Sequence, residues 1–306
     1  MSIMPSTNTA IHTKDLTKFY GSFQALHGVD LSVQRGEIFG FLGPNSAGKT
    51  TTIRCLLDLI HRDGGEVTVL GIDPSADPVA VRRSVGYMPG ELHLDGSLTP
   101  EALLRYFNEL RHGAADWTHV RQLAGRLGLE LKRPIRNLSH GNKQKVGIVQ
   151  ALMHKPELII MDEPTQGLDP MMANEVLRLL KELQAAGSTV FFSSHIMNEV
   201  ESIAHRVGII RDGRIVEVAD PKTLGKRALN RVRVRFQQPV DGSELSKVSG
   251  VTVLSQDNAH FVQLQVEGTM DALIKALAKL PVSDFETERP SLEEAFLAYY
   301  DDMEKK

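Results

Sequence analysis

Apolar residues recur along the chain with two different periods, and the switches between them lay out the elements. Residues 11–33 alternate polar and apolar around Tyr20-Gly21 and Gly28, which predicts antiparallel strands joined by turns. Ile38, Phe39, Phe41 and Leu42 then form an apolar β-prone run, followed by a glycine-rich stretch and an apolar pattern of helical period from Ile53. Residues 66–70 and 85–89 read as further short strands. Thr99 as N-cap and Pro100 in the first helical position open a helix striped by Leu103, Leu104, Phe107 and Leu110, and Val120, Leu123, Ala124 and Leu127 repeat the pattern. Residues 158–161 are wholly apolar and read as a buried parallel strand. Asp169 and Pro170 start another helix, residues 189–192 form a second buried strand, and residues 207–218 read as a hairpin about Asp212-Gly213. Past a boundary at residues 220–230, Val232, Val234 and Phe236 alternate, as do Val262, Leu264 and Val266. Helical stretches lie between and after them, with a last amphipathic helix at residues 291–300. That pattern predicts a small α+β domain with a split βαβ arrangement.

Composition narrows the setting. With 306 residues and 42% hydrophobic content the chain can bury the cores of one large and one small domain. A net charge of −3 with mixed signs argues against a nucleic-acid-coating surface. The lone cysteine, Cys55, falls on a helical apolar stripe, which favours a packed core thiol and fits a reducing, cytosolic compartment. The first 15 residues hold no apolar segment of signal-peptide type, and the apolar runs fall far short of the ~20 residues of a spanning helix. Any action at a membrane is therefore expected to run through a partner.

The candidate chemistry sits at the switches. Gly43-Pro44-Asn45-Ser46-Ala47-Gly48-Lys49-Thr50 fits the pattern G-x-x-x-x-G-K-[ST] between a strand and a helix. Glycines let loop N–H groups turn inward around phosphate oxygens, Lys49 supplies a point charge, and Thr50 offers a hydroxyl to Mg²⁺. Asp162 and Glu163, at the tip of a buried strand, suit a metal-holding carboxylate and a water-activating one. Adjacent strand residues face opposite ways, so the two cannot share one task. Ser139 with Gly141 opens a helix and reads either as a simple cap or as a second anion site. His195 at a strand tip can donate to a γ-phosphate, and Tyr20 before its turn can present a ring to a base. Each of these also fits an ordinary structural residue.

Taken together, these segments resemble the ATP-binding subunit of an ABC transporter over essentially the whole chain. GPNSAGKT is similar to the Walker A loop, LSHGN to the signature LSGGQ, LIIMDEP to Walker B, GLDP to the D-loop, and His195 to the switch histidine, all in family order. The resemblance implies a P-loop NTPase core of ABC ATPase type, α/β with an antiparallel β subdomain and a helical subdomain (about 91–155), spanning residues 1–225. A small C-terminal α+β, ferredoxin-like domain at 226–306 would follow, similar to that of subunits pairing with separate export permeases. It further implies ATP and Mg²⁺ held by residues 43–50 and Thr51, with Thr50 and Asp162 on the metal. Glu163 would polarise water, Lys49 and His195 would hold the γ-phosphate, and Tyr20 would stack on adenine. Ser139, Gly141 and Asp169 would complete the site of a second copy or a homologous subunit. The expected function is ATP hydrolysis powering export from the inner face of the cell membrane. Its alternatives are a non-transport ABC-type ATPase and a weakly hydrolysing regulator. The chain departs from the family at Ser46, His140 and Asn142. It also carries Gly90-Glu91 where a Gln is common; Gly90 brings no side chain to the metal, and Glu91 is the candidate substitute.

Overall fold

A computed structural model describes residues 8–113, 115–221, 230–257, 260–267 and 269–288. The amphipathic helix expected at 291–300 lies outside them. The chain divides into two compact units, Met1–Ala219 and Asp220–Lys306.

In the first unit, β1 (Thr9–Tyr20) and β2 (Phe23–Gln34) form the expected antiparallel pair, joined on the other side of β1 by β4 (Gly64–Val69). A six-stranded sheet runs in the order β5 (Val85–Met88), β6 (Leu158–Asp162), β7 (Thr189–Ser194), β3 (Ile38–Leu42), β8 (Arg206–Arg211), β9 (Arg214–Ala219). The first five are parallel and β9 returns antiparallel from β8. Every residue of β3, β6 and β7 is buried, as strands covered on both faces require. Ile11, Leu16, Val29, Phe39, Ile53, Ile160 and Phe191 belong to one core shared by both sheets, with the Phe39 and Phe191 rings stacked at 5.9 Å. Parallel strands end on the same edge, so Leu42, Asp162 and Ser194 finish side by side.

The helices are α1 (Lys49–Leu56), α2 (Pro78–Ser84), α3 (Pro100–Leu110), α4 (Trp117–Arg126), α5 (His140–Leu152), α6 (Pro170–Ala185) and α7 (Met197–Ile203). The expected caps form: Thr99, Ser139 and Asp169 accept from the amides of Ala102, Asn142 and Met172. The β8–β9 turn places Asp212 and Gly213 at φ 46° and 69°, both left-handed, as its type requires. α2 and α7 were not expected; each is seven residues long, burying one and two side chains, too few for a visible stripe. Between α5 and β5 the backbones touch, since a Cβ at Gly86 would lie 2.1 Å from the Ala151 carbonyl oxygen.

The second unit holds an antiparallel sheet in the order β11 (Val251–Asp257), β12 (Phe261–Val266), β10 (Asn230–Phe236), β13 (Val282–Glu288), with α8 (Asp271–Leu277) packed on it through Leu273 and Leu277. This is the strand order of a split βαβ sheet. In place of the helix expected between β10 and β12 lie a 3₁₀ turn at Gly242–Lys247 and strand β11. Only Val251 of β11 is fully buried, so its alternation is faint in the sequence.

Candidate nucleotide site

The loop from Gly43 to Thr50 leaves β3 and enters α1 under tight steric control. A Cβ at Gly43 would lie 2.3 Å from the Ile210 carbonyl oxygen, and Gly48, at φ 106°, would drive one to 2.9 Å from Leu26. Both glycines are therefore demanded by the fold, quite apart from any phosphate. Ser46 takes φ 68°, the left-handed region that a glycine there would occupy without cost. Its hydroxyl is tied to the Asn45 carbonyl. Pro44 is half-buried, Asn45 and Ser46 are exposed, Ala47 is buried, and Thr51 is half-buried on the first turn of α1.

Lys49 is buried and its ammonium donates to the carbonyls of Gly43 at 2.6 Å and Pro44 at 3.1 Å. It also lies 3.2 Å from Glu163 Oε1. Thr50 Oγ1 donates to Asp162 Oδ2 at 2.6 Å. Glu163 leaves the strand with φ 52°, which separates its carboxylate from that of Asp162. The other oxygen, Oε2, meets His195 Nδ1 at 2.8 Å, and the Gln144 amide donates to the Glu163 carbonyl at 3.3 Å. Residues far apart in sequence thus converge at one sheet edge, where ligands of α/β folds sit.

The signature residues are placed differently. Ser139 and His140 are exposed, and Gly141 is packed so closely on the turn after β6 that a Cβ would lie 2.7 Å from the Gly167 carbonyl oxygen. The Asp169 carboxylate caps α6. Tyr20 is 47% exposed beside its turn, flanked by exposed Phe19 and Phe23, with Lys18 Nζ 5.9 Å from its ring centre. Neither phenylalanine belongs to a motif that would mark it in the sequence. Gly90 lies against the Asp162 carboxylate, where a Cβ would be 3.3 Å from Oδ2, and Glu91 is exposed. Burial first, then the Asp162 charge, pushes the Tyr87 phenol up to about 12. Burial likewise pushes the Cys55 thiol up to about 11, the behaviour of a packed core thiol.

The donor set fits a nucleotide carrying a hard cation. Glu163 Oε1 is buried and accepts no hydrogen bond, although it faces the Lys49 charge, so it keeps an unused acceptor position. Among the described residues no group of three or more His, Cys, Asp or Glu could hold a metal. Thr50 and Asp162 would hold a hard cation such as Mg²⁺ whose remaining ligands came from phosphates and water.

Residues 26–166 match the ABC transporter family, and residues 226–300 match the C-terminal domain of DrrA1-3-like ATP-binding proteins. The bacitracin transport ATP-binding protein BcrA of Bacillus licheniformis is 36% identical over 276 residues, covering 89% of this chain and 86% of that protein. The chain belongs to the ABC transporter ATP-binding family. The daunorubicin/doxorubicin resistance ATP-binding protein DrrA of Streptomyces peucetius is 31% identical over 305 residues, or 94% of this chain and 92% of that one. A solved ATP-binding subunit of an ABC transporter superposes with a TM-score of 0.64 at 31% identity, covering 71% of this chain and 92% of that one. A dimeric ATP-binding cassette in a post-hydrolysis state, bound to ADP and Pi, gives 0.64 at 25% identity, covering 69% and 98%. The ABC ATPase fold and the ATPase class expected from the sequence are thereby shown. As an ABC ATPase, the chain has ATP as its substrate.

Proposed function

We propose that this ABC subunit hydrolyses Mg²⁺-bound ATP between two paired ATP-binding subunits and so drives export through a separate membrane permease. The carrying observation is the convergence of Lys49, Thr50, Asp162, Glu163 and His195 within hydrogen-bonding reach, with Glu163 Oε1 left free of hydrogen bonds. Lys49 and the loop amides hold the phosphates, and Thr50 with Asp162 holds the cation, which neutralises charge developing on the phosphoryl oxygens. Glu163 accepts the proton of the attacking water. His195, fixed by Glu163, donates to the γ-phosphate, and Tyr20 stacks on the base. Lys49 must exchange its contact with Glu163 for phosphate, which frees the carboxylate for water at the moment nucleotide arrives.

Ser139 and Gly141 serve the site of the partner copy, with Asp169 beside the junction. The exposed, weakly occupied Ser139 hydroxyl supports that reading, and so does the dimeric cassette among the structural relatives. The relatives named for bacitracin transport and drug resistance support export. No helix among the described residues is long and apolar enough to cross a membrane. A groove of about 310 Å³, lined by Leu57, Leu59, Tyr87, Leu92 and Phe107 among others, suits a helical segment of the permease. On this reading the subunit sits on the inner face of the cell membrane.

The test is Glu163→Gln, which should accumulate an ATP-bound dimer with hydrolysis arrested, seen by sedimentation with Mg²⁺ and ATP. Normal turnover in that variant removes Glu163 from the role of base. Gly90 favours a second reading, a subunit that hydrolyses slowly for lack of a side chain beside Asp162. Turnover of the native chain with its permease distinguishes the two.

A further inference from the structure

Ser193 stands directly opposite Asp162 in the parallel pairing of β6 with β7, so the two side chains emerge on the same face of the sheet. It is completely buried. Its hydroxyl donates to Asp162 Oδ1 at 2.5 Å and accepts from the Glu163 amide at 2.9 Å. A hydroxyl has one proton to give, and these two bonds use it in the one way compatible with an ionised carboxylate and an N–H. Asp162 is thus gripped from both sides, by Ser193 on Oδ1 and by Thr50 on Oδ2. Thr50 would turn its oxygen to a cation, whereas Ser193 is fully buried on β7, off the Gly43–Thr50 loop, and can keep its bond throughout.

The second bond matters for Glu163. That residue adopts a left-handed φ of 52° immediately after a regular strand, a conformation an L-residue holds only when its surroundings fix it. The Ser193 oxygen pins its amide at the point of departure. The neighbouring serine does unrelated work, because adjacent strand residues point apart: Ser194 Oγ donates to Glu199 at 2.8 Å and accepts from Ile196 N at 2.9 Å, shaping the turn that carries His195.

We infer that Ser193 is a positioning residue of this ATPase site, orienting the Asp162 carboxylate toward Mg²⁺ and fixing the backbone that aims Glu163. The inference rests on the ATPase reading above. Removing the hydroxyl leaves a buried carboxylate oxygen and a buried amide without partners, and loss of such outer support costs about tenfold or more in metal affinity.

The experiment compares the full-length wild type, Ser193→Ala and Ser193→Thr by calorimetric titration with ADP, once in excess Mg²⁺ and once in EDTA. In Ser193→Ala the tightening that Mg²⁺ brings to ADP binding should shrink about tenfold, with metal-free ADP affinity unchanged. Its kcat should drop by about as much at saturating Mg²⁺ and ATP while KM moves little, and Ser193→Thr should restore both. A wild-type Mg²⁺ increment in Ser193→Ala overturns the inference, as does an equal loss of metal-free binding, which marks a merely structural residue. If Ser193→Ala does not fold, Ser193→Cys, of similar size and a weak donor, replaces it with the same outcomes. Should the wild type itself show no nucleotide binding, the ATPase reading fails first.

Discussion

Thr50 is bound to Asp162, and Lys49 and His195 to Glu163, by contacts of 2.6 to 3.2 Å, while the Ser139 hydroxyl, exposed, accepts only a 3.3 Å bond from the amide of Asn142 in its own helix. Both groups begin at a helix N-terminus, α1 in one case and α5 in the other. The first is gathered at the C-terminal edge of three fully buried parallel strands, β3, β6 and β7, at whose tips or just beyond them its members lie. The second lies on the outside of the unit, at the start of one helix. A site assembled from both kinds of surface keeps its chemistry in one molecule and its completion in another.

The comparison breaks hardest at Glu163. Its replacement by Gln should lower steady-state turnover by about 10²-fold or more while leaving nucleotide binding intact, as coupled phosphate-release and equilibrium-binding assays would show. Undiminished turnover means the prearranged cluster is not the reacting half. Ser139→Ala should come next, reducing turnover about tenfold, the worth of one hydrogen bond to a charged group. ADP affinity of the single subunit should not change. If that affinity falls in step with turnover, Ser139 acts within its own chain and the division between the two halves disappears.

Ser46→Gly tests a smaller feature of the prearranged half. The left-handed φ of Ser46 carries a cost of about 1 to 2 kcal/mol, partly offset by glycine's greater freedom in the unfolded chain. The variant should gain less than about 1 kcal/mol in thermal unfolding, and a loss would show that the hydroxyl bond to Asn45 outweighs the strain.

Acid provides the mildest probe, and it acts on the other half. Burial, and then the nearby Arg111 charge, pushes the His154 imidazole down to about 4. His154 lies just past the C-terminal end of α5. Its unfolded form takes up a proton near pH 6.5, before the folded form does, so the stability it contributes is complete above that pH and is lost as pH falls toward about 4. Hydrogen exchange along α5 should therefore accelerate over that interval, and His154→Gln should flatten the change. An unaltered profile in the variant assigns the acid response elsewhere.

Much of the prearranged half was legible because its residues fall in short contiguous patterns. Gly43, Gly48, Lys49 and Thr50 lie in one eight-residue motif between a strand and a helix, although the crowding that demands the two glycines comes from distant Ile210 and Leu26, and Asp162 ends a strand that is apolar up to its tip. Thr99, Ser139 and Asp169 cap helices as their neighbours in sequence predict. Ser193 was passed over because its importance lies in being level with Asp162 across two strands 31 residues apart, a register that no local pattern encodes. α2 and α7 are held by one or two buried side chains, and β11 by a mostly solvent-facing pattern, so tertiary contacts decided them. The hydrogen bonding of Glu163 to His195 depends on a left-handed φ that an Asp-Glu-Pro sequence does not announce.

The bare contact of Gly86 with the Ala151 carbonyl gives the two halves a mechanical link. The rod bearing Ser139 rests on β5, and β5 is laced to the strand ending in Asp162. With no side chain as cushion at that point, a displacement of the strand ending in Asp162 has little slack to take up before it reaches the rod bearing Ser139.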